Sequence, residues 1–238
     1  MTELLKDPKT LLYAILGGGL PAIFWLWFWL REEDKEKTVP RGPIILSFIL
    51  GGIVVMLAIG LEKYSLNYIS NHSTQVITWA AIEEILKLLA VSAIFLGSGF
   101  IKKPIDYPIY FIACALGFAA LENILYLLHP IYVDGAVVGL LTGNLRFLGS
   151  TLLHAIASAM IGSALGLSFF TKQNRTIYLL GGILCAVVLH SIFNFFIMKG
   201  DGENFLSVFG FLWVVSIINI LIFEKLRRMG KYIIPINA

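Results

Sequence analysis

Glu83, Glu84 and Lys87 lie in the middle of residues 76–96, an apolar run of the length that crosses a bilayer, for which about 20 residues suffice. Each charge near the centre of such a helix costs roughly 2.5–3.5 kcal/mol on insertion scales. Three together need a reason, and the general one is a functional site facing the interior of a helix bundle. Lys87 follows Glu83 by four residues and Glu84 by three, so either carboxylate can neutralise it on one helix face. A structural ion pair would account for the lysine and one glutamate and leave the other unexplained.

Later apolar runs carry Phe118-x-x-x-Glu122-Asn123, a lone His154, and His190-x-x-x-Asn194. Phe118 and Glu122 share a helix face by their spacing, as do His190 and Asn194. His154, Ser158 and Gly162 form a polar, small-residue stripe that lets one helix approach its neighbours. Two buried carboxylates side by side cannot both ionise cheaply. A carboxylate tuned in this way is a usable general base for water. A histidine, or the amide of Asn194, can donate to the oxyanion that forms when water attacks a carbonyl. This is hydrolytic equipment without a serine or cysteine nucleophile. A metal is the competing arrangement. His154 and His190 with Glu122 or Glu84 would make a zinc ligand set, leaving Glu83 or Glu84 as base. The short His-Glu-x-x-His helix is absent, so ligand types are present without a diagnostic spacing. Both mechanisms stay open at this stage. Each residue also has a plainer use: a histidine can bond one helix to another, Asn123, Asn194 and Asn219 can be packing contacts, and Glu122 can partner Lys87 or Arg146.

The elements that must position these groups are membrane spans. Of the 238 residues, 58% are hydrophobic and 14% charged, with a mean hydropathy of +0.84. Soluble domains average roughly 25% charged residues. The apolar runs are long and do not alternate as barrel strands do, which implies an all-α polytopic membrane protein. About seven transmembrane helices are expected, at 11–30, 43–61, 76–96, 107–128, 148–170, 177–197 and 205–223. The stretch 135–170 would rise about 50 Å as one helix, against a hydrocarbon core of about 30 Å. Asn144 and Arg146 interrupt it, so 136–147 is expected to be an interfacial or re-entrant helix. Residues 62–75 are expected to form a surface helix, and His129-Pro130 to close the fourth span. Cys114 and Cys185 both lie in apolar runs and are expected to be small buried hydrophobes. No cleavable leader pattern is seen. The whole chain, 1–238, is expected to be a single membrane domain with its core at about 76–197.

Lysine and arginine cluster in alternate loops: four in 31–41, two at Lys102 and Lys103, two at Lys172 and Arg175, and four in the tail. Positive loops stay inside, so the N-terminus is expected outside and the C-terminus in the cytoplasm, with lipid, not nucleic acid, as the environment that the basic residues meet. Under that topology Glu83, Glu122, His154 and His190 each lie six or seven residues from the outer end of a span, about 10 Å deep. Four helices of alternating direction thus bring acids and imidazoles to one level, in a catalytic core of four helices.

These motifs, in this order over 76–194, resemble the PrsW family of bacterial intramembrane proteases, which is similar to the wider group of CAAX prenyl proteases and bacteriocin-processing membrane enzymes. The resemblance implies that Glu83 and Glu84 form the first catalytic motif, Glu122 the second, His154 the third, and His190 with Asn194 the fourth. Lys87, Phe118 and Asn123 would support them. The wider group usually has a histidine where this chain has Glu122 and an arginine where it has Lys87, which places this chain on the PrsW branch. Such enzymes are implied to cut a membrane-anchored anti-sigma factor on its outer side. The family is often classed as metallopeptidases, with zinc as the implied ion, while related enzymes are argued to be metal-free glutamate proteases. A rival reading is an ion- or proton-coupled transporter, with Glu, Lys and His as a relay. A third is a scaffold in which the charges only pair helices.

Overall fold

The computed structural model describes residues 7–33, 39–95, 99–199 and 205–231. Among them are seven α-helices: α1 (Pro8–Glu33), α2 (Arg41–Ser65), α3 (His72–Phe95), α4 (Asp106–Asp134), α5 (Ala136–Leu167), α6 (Arg175–Lys199) and α7 (Phe205–Gly230). A short 3-10 turn, Lys172–Asn174, precedes α6. No strand occurs among the described residues. Six of the helices are long and apolar enough to cross a membrane. The seventh, α3, has the length, but its central three charges fall in any spanning window.

A helix stands at each expected span, and the differences lie between them. The segment 62–75 is no separate surface helix: α2 runs on to Ser65, and α3 begins at His72. The fourth span does not close at His129-Pro130, because α4 carries Pro130 inside it and ends only at Gly135. A proline removes one amide donor and leaves the rest of the ladder to its neighbours. Gly135 ends the helix because its φ of 86° lies in the left-handed region, which glycine enters without a Cβ clash. The expected separate helix at 136–147 is instead the first three turns of α5, continuous with the fifth span. No proline lies in that stretch, and polar residues such as Asn144 and Arg146 do not by themselves break a helix. At 32 residues, α5 rises about 48 Å, more than the hydrocarbon is thick. The side chains of Trp29, Asn144 and Arg146 lie outside the described residues, as do Lys6, Lys35 and Lys37.

Lipid tails give apolar helices no hydrophobic reason to associate, so close packing must hold the bundle together. Helix α4 is the centre, apolar on all sides and buried from Asp106 through Ala120 apart from the partly buried Ile109. Two glycines bring α2 against it. A Cβ at Gly51 would overlap the carbonyl of Cys114, and one at Gly117 would overlap the carbonyl of Phe48. On its other side, Gly162 of α5 meets the backbone at Pro108. The stripe of His154, Ser158 and Gly162 is therefore the seam between α5 and its neighbours, as its spacing implied. The main core joins Val91, Tyr110, Phe111, Phe118, Leu153 and Phe193, which come from α3 to α6. Helices α1, α2 and α7 turn large apolar side chains outward, among them Phe24, Met56 and Leu221, as a lipid-facing surface requires. Cys114 is buried as expected; Cys185 is exposed.

Candidate active site

The phase of α3 decides where its charges go. Its buried residues are Val76, Ala80, Glu83, Glu84, Lys87, Ala90, Val91 and Ile94, one stripe at three- and four-residue spacing. Ile77, Ile85 and Leu89 face outward. Turning the helix so that lipid meets isoleucine and leucine forces the two carboxylates and the lysine into the bundle.

There the Lys87 ammonium lies 2.8 Å from Glu84 Oε1 and 3.5 Å from Glu83 Oε2. Both carboxylates share it, so neither is stranded. A third contact reaches across to α5, where Nζ stands 2.8 Å from His154 Nδ1. An ammonium has protons and no lone pair, so Nδ1 accepts. That fixes the tautomer: His154 Nε2 carries the hydrogen and donates it to Glu122 Oε2 at 2.8 Å. The ring of Phe118 covers the ammonium, with its centroid 4.1 Å from Nζ, a cation–π contact. Lys87 and the Glu84 side chain are fully buried.

Helix α5 reads these acids at four-residue intervals. Ser150 donates to Glu122 Oε2 at 3.5 Å, His154 follows, and Ser158 donates to Glu84 Oε2 at 3.1 Å. Helix α6 adds His190, whose Nδ1–H donates to Glu84 Oε1 at 3.0 Å. Its other nitrogen faces Glu83 Oε2 at 3.8 Å. The two imidazoles meet edge to face, 5.0 Å between centroids.

Glu84 is thus bound on both oxygens: one takes Lys87 and His190, the other Ser158. Glu83 has looser contacts, at 3.5 and 3.8 Å. The Glu122 side chain is 31% exposed, so the cluster opens on its side. Glu83, His154 and His190 offer atoms all within 4.8 Å of one another. The carboxylate of that triad is Glu83, not the Glu84 or Glu122 expected as ligands beside the histidines. Glu84 is tied to the lysine, and Glu122 sits at the far edge of the His154 ring.

Two expected members stand apart. Asn123 donates to Thr151 Oγ1 at 3.1 Å and ties α4 to α5. Asn194 is half-buried one turn beyond His190, with no hydrogen bond to the cluster among the described residues. Ser150 was missed by sequence reading, although it continues the four-residue stripe back from His154. Glu62, at the end of α2, was expected only as the start of a surface helix over 62–75. It is half-buried and feels the charges of Glu122, His190 and Lys87. An apolar cavity of about 290 Å³ lies on the opposite face of α5, lined by Leu152, Ala155, Trp213 and Asn219 among others. None of the charged cluster lines it.

Residues 39–221 match the PrsW family of intramembrane metalloproteases, which is more than half of the chain. The chain belongs to this family. It is similar to the protease PrsW of Oceanobacillus iheyensis, with 28% identity over 211 residues, 86% of this chain and 93% of that protein. The protease PrsW of Clostridioides difficile is 26% identical over 179 residues, 72% and 74% of the two chains. That of Geobacillus kaustophilus is 25% identical over 196 residues, 80% and 82%. No solved structure matches. The chain is therefore a multi-pass intramembrane peptidase, and its substrate is a protein in the membrane. Nothing supports the alternative of an ion-coupled transporter.

The family's description implies a metal, and the donor types suit one: a carboxylate and two imidazoles are a catalytic zinc set. The arrangement does not. A neutral imidazole nitrogen has one lone pair, and that of His154 Nδ1 already receives the Lys87 ammonium. The same ammonium lies beside the second donor, Glu83. A metal cannot take the His154 Nδ1 lone pair while Lys87 holds it, and at Glu83 it would sit beside that ammonium.

Proposed function

We propose that this protein cleaves a peptide bond of a membrane-anchored protein by direct attack of water, with Glu83 as general base. The observation that supports this assignment most is the inequality of the adjacent glutamates. Glu84 is bound on both oxygens, whereas Glu83 has only contacts of 3.5 Å and longer beside the open edge. Water held between Glu83 and His190 loses a proton to Glu83 as its oxygen attacks the carbonyl carbon. The Asn194 amide, unengaged by the cluster, donates to the oxyanion. Collapse breaks the carbon–nitrogen bond, and Glu83 returns the proton to the departing nitrogen. Lys87, Glu84 and Ser158 hold the geometry; Glu122 keeps His154 in its tautomer and lines the way in.

The distribution of lysine and arginine supports an N-terminus outside, a cytoplasmic C-terminus and a site in the outer leaflet of a bacterial plasma membrane. A bond near the outer face of a single-pass anti-sigma factor is the substrate class that fits such a site. The test is reconstitution in liposomes with a single-pass substrate, comparing the parent with Glu83→Gln/Glu84→Gln and His190→Ala. The parent yields two fragments cut near the outer face, and the variants yield none. Undiminished cleavage by both variants would end the proposal.

A further inference from the structure

We propose that the Lys87 ammonium is the resident cation of this centre and keeps divalent metal out of it. The triad of Glu83, His154 and His190 then becomes a metal site only when that ammonium is removed. This rests on the reading of the cluster as the hydrolytic site.

Three features carry it. First, Lys87 makes the contacts a metal would make: an imidazole nitrogen at 2.8 Å, one carboxylate at 2.8 Å and a second at 3.5 Å. Second, it is boxed in. The side chain is fully buried, and the Phe118 ring closes over the ammonium at 4.1 Å. Withdrawal would take an ammonium from three polar partners into an apolar bundle, which is strongly disfavoured without new ones. Third, a dication bound to His154 Nδ1 would share one lone-pair direction with that ammonium, and two cations at such a separation in a low-dielectric interior repel strongly. The remaining donors need no invention: once the ammonium is gone, Glu83 Oε2, His154 Nδ1 and His190 Nε2 converge as an open three-ligand set of the kind that leaves a fourth position free.

Cobalt(II) is the probe, because its visible absorption reports ligand number. Purified, chelator-treated protein in detergent is titrated with Co²⁺, and bound metal is measured by elemental analysis. The parent takes up no more Co²⁺ than His190→Ala. Lys87→Arg, which keeps a positive charge in place, behaves as the parent does. Lys87→Met takes up about one Co²⁺ per chain with a tetrahedral band, and Lys87→Met/His190→Ala loses it. One Co²⁺ in the parent that disappears in His190→Ala overturns the proposal, and so does a folded Lys87→Met that binds none. If Lys87→Met does not fold, the parent and Lys87→Arg decide alone, since metal uptake by either at the triad is enough to refute it. Cleavage of substrate is scored separately, so failure of the protease reading and failure of the metal-exclusion reading give different results.

Discussion

Glu83 and Glu84 are neighbours on one helix with the same side chain, and they live in different halves of the site. The inner half, Lys87, Glu84, Ser158 and the Nδ1 edge of His190, is closed to solvent and tightly hydrogen-bonded. In the outer half, Glu83 has only contacts of 3.5 Å and longer, to Lys87, His154 and the Nε2 edge of His190, and Glu122 supplies the exposed edge. In the proposed mechanism the difference separates holding from reacting. A carboxylate already bound to an ammonium, an imidazole and a hydroxyl takes a proton from water only at the expense of those bonds, while Glu83, buried but held only by longer contacts, has less to give up. In an apolar bundle the inner half also answers for charge, since buried ions persist only when paired and hydrogen-bonded.

The largest effect expected from breaking this division comes from Lys87. Lys87→Met strands two buried carboxylates, and loss of one partner of a buried pair costs about 3–5 kcal/mol. Thermal unfolding in detergent should show a large drop, with cleavage lost as well. Ser158→Ala removes one hydrogen bond to an ionised Glu84, worth about 1.5–3 kcal/mol. It should lower stability by less and slow cleavage with little change in KM, because in the proposed mechanism Glu84 touches no substrate. Glu62→Gln is the smallest. It alters a charge near the outer half without a direct contact, so cleavage should change by a few-fold and shift in its pH profile, with stability unmoved.

The charged helix declared itself early because lipid makes polar residues expensive: any span with Glu83, Glu84 and Lys87 must turn them inward. Depth could be counted from span ends, so the meeting of Glu83, Glu122, His154 and His190 was legible. Rotation about each helix axis was only half legible. A four-residue spacing says which residues share a face, as with His154 and Ser158, and does not say which oxygen meets which nitrogen. That is why the carboxylate facing both histidines came out as Glu83 and not Glu84 or Glu122. Loops were the least legible. The signals at Pro130, Asn144 and Arg146 are local preferences, and continuous α4 and α5 override them, with glycine contacts between backbones fixing both helices. Glu62 was hidden because its helix continues past the point where apolar residues run out.

The division of labour between adjacent acids is tested most directly by one paired measurement: cleavage of a reconstituted single-pass substrate and thermal unfolding, for Glu83→Gln and Glu84→Gln side by side. Loss of a general base costs about 10²–10⁴ in rate. Glu83→Gln should fall by that factor at an unfolding temperature close to the parent's, while Glu84→Gln should lose stability together with activity. A Glu83→Gln protein that still cleaves, beside a Glu84→Gln protein that is inactive yet as stable as the parent, would contradict the account.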